Sequence, residues 1–215
     1  EYFTDYCRRY SDMPTLVRLE KKGDRYVPGR FLRAGDFDGA LGETNNPDWK
    51  IIAFDRTTGN IVAPRGSIGF RWGEQGKWNL EAKDSEGTDA DLQMTLIADG
   101  DHDQIADVDF PYFGNRDHDY FKGTDHPDVL TRGMPARRVE LTDGEALVVT
   151  VFDLMIANYG IDRGLGGEHQ ATSYDDPAPY TPAWAETITG VPAENIITVA
   201  REFATNAEKT NGNSM

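Results

Sequence analysis

Three tight-turn signals, Lys22-Gly23-Asp24, Gly59-Asn60 and Asp143-Gly144, fall between short runs of apolar and β-branched residues. Turns of this kind close antiparallel hairpins, because glycine and its polar neighbours reach the positive φ that a tight hairpin needs. The segment "TLVRLEKKGDRYVPGRFLRA" therefore reads as two extended pieces around the first signal. "WKIIAFDRTTGNIVAP" pairs residues 49–54 with 61–63 across the second, and "RRVELTDGEALVVTV" folds back on the third. A further pairing, 78–83 with 92–97, spans an acidic loop. Residues 99–135 are rich in Asp, Gly, His and Pro and show little periodicity. They are expected to form an irregular acidic excursion with one apolar anchor, "FPYFG".

The two ends of the chain read as helices. In "EYFTDYCRRY", Tyr2, Tyr6 and Tyr10 recur at four-residue spacing with Phe3 and Cys7 beside them, and Pro14 ends the pattern. "FDLMIANYGI" predicts a short helix with Phe152, Ile156 and Tyr159 on one side and Gly160 near its end. Further on, Thr181 suits an N-cap, Pro182 the first helical position and Gly190 a left-handed stop. A second helix restarts at Pro192 with Glu194 near the positive end of its dipole. Ile196, Ala200, Phe203 and Ala207, with Ile197 and Ala204 alongside, give it one stripe expected to face a core. The fold class is α+β, with a helix over 1–14, a hairpin-rich region over 15–150 and a helical part over 151–215. Glu1 is not an initiator Met and the first residues already look helical, so the chain reads as an internal fragment.

A net charge of -15 disfavours nucleic acid as a partner, since phosphates need a basic surface. Much of the acid is Asp and the basic complement leans to Arg, a pattern that keeps a surface hydrated at high salt; an ordinary solvated face reads equally well. No apolar stretch approaches the roughly 20 residues needed to span a bilayer, and the mean hydropathy of -0.60 agrees. A single cysteine, Cys7, can form no internal disulfide and no Cys-rich metal site, and a half-buried helix thiol is the expected role.

Familiar catalytic motifs are poorly matched. Asp99, Asp101 and Asp103 alternate as in a calcium loop, but Gln104 and Phe110 occupy positions where such a loop needs Gly and a bidentate Glu. His102, His118, His126 and His169 lack metal-ligand spacing, and three of them sit among Asp residues, where exposure is the default. Ser67 in "RGSIGF" is not a nucleophile elbow, and "RGLGGEH" is not a phosphate loop. Two stretches are dense in large polar side chains next to glycine. "GSIGFRWGEQGKW" carries Arg71, Trp72 and Glu74, and "NYGIDRGLGGEHQATSYDDPAPYTPAWAE" carries Arg163 and Tyr174. Both suit loops whose backbone approaches something closely, a ligand or another part of the fold.

Seven phrases in order, "YCRRYSDMPTLV", "GALGETNNPDWK", "GSIGFRWGEQGKWNLE", "FPYFG", "ANYGIDRGL", "ATSYDD" and "YTPAWAETITGVPAENIITVAREFA", resemble the catalytic alpha subunits of respiratory, membrane-bound nitrate reductases. These are a branch of the molybdopterin oxidoreductases, which include dimethyl sulfoxide reductase and formate dehydrogenase. The resemblance implies an internal piece of that fold, and two-electron reduction of nitrate to nitrite. It also implies a molybdenum held by two molybdopterin guanine dinucleotides, a 4Fe-4S cluster, and electrons arriving from quinol. An iron-sulfur beta subunit and a membrane quinol-oxidising subunit would be the partners, giving membrane association through them. The family's Asp ligand to molybdenum and its His and Cys ligands to the cluster lie in motifs upstream of Glu1, so the chain by itself is expected to be inactive. Arg71, Trp72, Glu74, Arg163 and Tyr174 are the residues singled out as lying near a substrate funnel or cofactor. The competing reading is a freestanding acidic β-rich binding module stabilised by calcium.

Overall fold

The computed structural model describes residues 7–8, 11–44, 46–65, 82–112 and 128–210. Within them the chain is mixed α and β, and its centre is a closed five-stranded barrel. β1 (Leu16–Lys22) and β2 (Arg25–Phe31) form the expected first hairpin, with Lys22 opposite Arg25 across a two-residue turn. β3 (Ala53–Phe54) and β4 (Ile61–Val62) make a separate two-stranded sheet. β5 (Gln104–Tyr112), β6 (Asp128–Leu141) and β7 (Gly144–Thr150) complete the barrel. β7 returns to pair with β1, and β2 meets β5 in parallel where Tyr26 faces Val108. β7 pairs with β6 only from Arg137 to Leu141, so the first half of β6 keeps an edge to which a further segment can pair.

Two of the sequence expectations for this region are corrected. The supposed irregular excursion over 99–135 contains all of β5 and the first half of β6, paired antiparallel from Gln104 opposite Ala136 to Tyr112 opposite Asp128. In "QIADVDF" the buried residues are Ala106, Val108 and Phe110, while the acids Asp107 and Asp109 point away from the core. This is strict period-two alternation with aspartate on the outer face. The second correction concerns 92–97. Lys83 bridges Asp89, and the Ala90 N–H bonds the Ala82 carbonyl, so this hairpin closes tightly around Asp84. The Asp84 carboxylate accepts the Glu86 and Thr88 N–H groups at 2.9 and 2.8 Å. Leu92 pairs instead with Asp55. The hairpin over 49–63 exists but is short, because Ile51 bridges Arg33 and Asp55 turns to accept the Thr57 N–H.

Two cores lie on either side of the barrel wall. Val17, Leu19, Ala106, Val108, Phe110, Met134, Ala136 and Val149 come from four of the strands and fill the interior, with Tyr26 of β2 packed against them. Leu16, Val139, Leu141 and Val148 face outward and are covered by Leu32, Phe37, Ile52, Phe54 and Leu96. Burying one such side chain contributes about 1.5–3 kcal/mol.

β7 runs directly into α1 (Val151–Asn158). Thr150 caps this helix, accepting the Asp153 N–H at 3.0 Å and donating to the Met94 carbonyl at 2.9 Å. Phe152 and Ile156 are buried as expected, but Tyr159 is 54% exposed. α2 (Pro182–Thr189) has the foreseen ends: Thr181 Oγ1 accepts the Trp184 N–H at 3.1 Å, and Gly190 takes φ 73°. α3 (Ala193–Thr210) follows, tied back where Glu186 accepts the Ala193 N–H. Its stripe is only partly covered, since Ala207 is buried whereas Phe203 is 54% exposed. The N-terminal helix is described only at Cys7 and Arg8. There Cys7 is half-buried, as expected, against the cluster of Met94, Phe152 and Ile156, and burial raises its thiol pKa.

Candidate functional site

The glycine-bracketed stretch after α1 is the one sequence candidate that the described residues cover. Its residues approach β6 as an extra strand: the Gly133 N–H bonds the Gly166 carbonyl and the Glu168 N–H bonds the Thr131 carbonyl, each at 2.9 Å. A side chain at Gly133 would begin 2.0 Å from the Leu165 carbonyl oxygen, so only glycine permits this contact. The loop's glycines are explained by close approach to the fold's own backbone.

Arg132 organises that approach, and sequence reasoning passed over it. Its place on β6 shares the inward face of Met134 and Ala136 by period-two alternation, and its side chain is fully buried. Nε donates to the Glu168 carbonyl at 3.0 Å and Nη2 to the His169 carbonyl at 3.2 Å. Nη1 donates to the Ala157 and Asn158 carbonyls, each at 2.7 Å. Those last two are terminal carbonyls of α1, at the negative end of its dipole. One planar guanidinium thus caps a helix and pins a loop, and burial lowers its pKa. Gly160 sits where a side chain would lie 2.7 Å from Arg132 Nη2. The signal in the sequence was a lone Arg inside the apolar alternation "DVLTRGMPA".

Arg163 turns inward. Its Nη1 contacts Asp153 Oδ1 at 2.5 Å, and Asp153 is completely buried. Asp153 also accepts from Thr95 Oγ1 at 2.5 Å and from the Leu96 N–H at 2.9 Å. A buried carboxylate needs such a full set of donors. Tyr174 lies elsewhere, 55% exposed, with the Arg201 guanidinium 6.0 Å from its ring centre. Its carbonyl accepts the Ala183 N–H, joining "ATSYDD" to α2. In that phrase Asp176 accepts the Thr172 and Ser173 N–H groups at 2.7 and 2.9 Å, which lowers its pKa. Arg163 and Tyr174 therefore serve two different contacts. Arg71, Trp72 and Glu74 lie outside the described residues, as do His118 and His126.

The acidic positions have structural partners. Asp103 accepts the Arg138 N–H at 2.6 Å, Asp101 accepts from the Gln93 amide, and His102 Nδ1 lies 3.1 Å from the Leu96 carbonyl. His102 is thus partly buried, contrary to its expected exposure. Among the described residues no group of three or more His, Cys, Asp or Glu is arranged to hold a metal ion.

No family model matches the chain. It is 55% identical over 217 aligned positions to the respiratory nitrate reductase 1 alpha chain of Escherichia coli (strain K12), a match covering 100% of this chain and 17% of that one. This chain is homologous to nitrate reductase alpha chains. The nitrate reductase alpha subunit of Mycobacterium tuberculosis (strain ATCC 25618 / H37Rv) is 43% identical over 100% of this chain and 16% of its own length. The nitrate reductase alpha chain of Bacillus subtilis (strain 168) is 42% identical over 100% of this chain and 16% of its own. The chain thus spans about a sixth of the length of these relatives. Continuous homology of this kind does not favour a freestanding calcium-stabilised module.

Proposed function

We propose that this chain is a section of the catalytic alpha subunit of a respiratory nitrate reductase, which reduces nitrate to nitrite. The observation that carries the reading is 55% identity to a protein of that name along the whole chain. In the complete subunit, a molybdenum bis(molybdopterin guanine dinucleotide) would supply the change of oxidation state that oxygen-atom removal requires. A 4Fe-4S cluster would deliver electrons originating from quinol. The partners in this reading are an iron-sulfur beta subunit and a membrane quinol-oxidising subunit. No helix among the described residues is long and apolar enough to cross a membrane, and membrane association in this reading is through those partners.

The chain's own share is scaffold and approach path. Arg132 and the Asp153–Arg163 pair fix the loop after α1 against the barrel, and Tyr174 ties the next turn to the helix pair. Arg71, with Trp72 and Glu74 beside it, is assigned to the substrate funnel. A cation there would draw in an anion that a chain of net charge -15 otherwise repels. In the complete enzyme, Arg71→Ala should raise the nitrate KM more than it lowers kcat; unchanged kinetics in a stable variant would reject the funnel role. The reading as a whole is tested by metal analysis and a reduced-viologen nitrate assay. The 215-residue chain should bind no molybdenum and make no nitrite, while the cofactor-loaded alpha subunit containing it should do both. Turnover by the short chain, or none by the loaded subunit, would contradict it.

A further inference from the structure

Lys50 is largely enclosed: 14% of its side chain is exposed, and its ammonium lies 3.8 Å from the carboxylate of Glu43, which is 11% exposed. Burial lowers the Lys50 pKa, and the charge of Glu43 opposes that fall. Nζ also donates to the Pro64 carbonyl at 2.9 Å. At the other side of the same peptide unit, the Arg65 N–H donates to the Lys83 carbonyl at 2.9 Å. A peptide unit is planar, so two hydrogen bonds on opposite sides fix its orientation, and the proline ring fixes φ just before it. The segment carrying Glu43 is braced in turn, because a side chain at Gly42 would begin 2.6 Å from Ser85 Oγ. Residues 42–50, 64–65 and 82–85 thus converge, and the stretch bearing Arg71, Trp72 and Glu74 departs from Arg65 and returns at Ala82.

We propose that Lys50 is a positioning residue for nitrate entry: by holding the Pro64 carbonyl, it sets the direction in which the chain departs toward Arg71. This role presupposes the place of Arg71 in the substrate funnel. Lys50 does not itself draw the anion in, because Glu43 offsets its charge. The cation that meets nitrate is Arg71, six residues beyond Arg65, and Lys50 acts on it through the peptide unit from which its stretch starts. Without the ammonium, the Pro64 carbonyl loses this donor and Glu43 loses a cation at an enclosed position. The peptide unit is then held only from the Lys83 side, and its orientation relaxes. An attraction that guides nitrate inward affects binding and leaves the step after binding alone, so the consequence falls on KM.

The experiment is steady-state nitrate reduction by the complete, cofactor-loaded enzyme with reduced viologen as donor. Lys50→Met, Arg71→Ala and the double variant are compared at equal molybdenum content. Lys50→Met should raise the nitrate KM about three- to tenfold, with kcat within about twofold of the unaltered enzyme. In the Arg71→Ala background the same substitution should add little, because the cation it positions is gone. Should Lys50→Met fail to assemble, Glu43→Gln carries the same comparison, with a smaller rise in KM expected. If Arg71→Ala raises KM while Lys50→Met leaves it unchanged, or if the two effects multiply in the double variant, the positioning role is overturned and the funnel stands. If Arg71→Ala itself leaves KM unchanged, the funnel reading fails and the role of Lys50 fails with it. Loss of molybdenum or of kcat with KM unchanged would make Lys50 a folding contact, which also overturns the proposal.

Discussion

The barrel and the helix pair at 182–210 are built by opposite means. The barrel draws apolar side chains from all five strands into one interior, and a second layer covers its outer wall. Helices α2 and α3 carry complete local signals, with Thr181 and Gly190 in place, yet α2 buries no residue and α3 only Ala207. Ile188, Val199 and Phe203 remain 52%, 64% and 54% exposed. Capping decides where a helix starts and stops, whereas burial supplies most of its stability in a folded protein. The barrel should therefore hold itself together, and the helix pair should depend on the contacts at its root.

The largest effect is expected on the barrel side, where Arg132 of β6 caps α1 and pins the loop that follows it. Arg132→Met would leave four carbonyls without their donor, that of Ala157 buried and the other three part-buried. A loss of about 4 kcal/mol is expected, about 1–3 kcal/mol for the buried carbonyl left unsatisfied and less for each part-buried one. Urea unfolding of this variant would check it, and Arg132→Lys should recover only part, since an ammonium cannot reproduce the planar fork.

Asp153→Asn comes next. It removes the negative partner of Arg163 from a fully buried position, with an expected loss of about 3 kcal/mol because one charge is left uncompensated. A double-mutant cycle with Arg163→Met should show positive coupling in the same unfolding measurement.

Acid should sharpen the contrast, because the tuned carboxylates belong mainly to the barrel and its covering layer. A hydrogen bond from Arg30 holds Asp36 below its ordinary pKa. Burial pushes Asp55 upward, but bonds from Thr58, Thr57 and Asp91 outweigh it and leave it lowered. A hydrogen bond from Arg18 lowers Asp143. For groups whose folded pKa is depressed, the stabilisation is present above the unfolded pKa of about 3.9 and lost as pH falls through the folded value. The barrel's thermal midpoint should therefore fall below about pH 4, and replacing Asp36 and Asp55 with Asn should flatten that fall. Circular dichroism melts from neutral to acid pH would read both.

The smallest effect is expected on the far side of the contrast. Phe203→Ser alters an apolar side chain that is 54% exposed, so the unfolding free energy should change by no more than about 0.5 kcal/mol. The same substitution at Phe110, which is 4% exposed, should unfold the barrel.

Turns and caps were legible in the sequence because their chemistry is local. Gly23, Thr181 and Gly190 do in the structure what their types alone imply. β5 was not legible because aspartate at alternate positions looks like an acidic loop, although the intervening Ala106, Val108 and Phe110 keep the strand period. The β3–β4 hairpin was foreseen but overextended, since nothing nearby shows that Ile51 and Asp55 pair with Arg33 and Leu92. Likewise the glycine-rich loop after α1 correctly signalled a close backbone approach. Its target, β6 around Arg132, lies about thirty-five residues back along the chain, beyond the reach of local patterns. Arg163 carried a charge whose inward direction depends on Asp153, a partner on another element.

Native-state hydrogen exchange of the 215-residue chain tests the contrast most directly, because it measures opening free energies element by element. The β5, β6 and β7 amides should exchange only through global unfolding, while α2 and α3 amides exchange through local opening at much lower free energy. Equal protection of α3 and the barrel strands would contradict the account, because the helix pair would then share a cooperative core that its burial does not reveal.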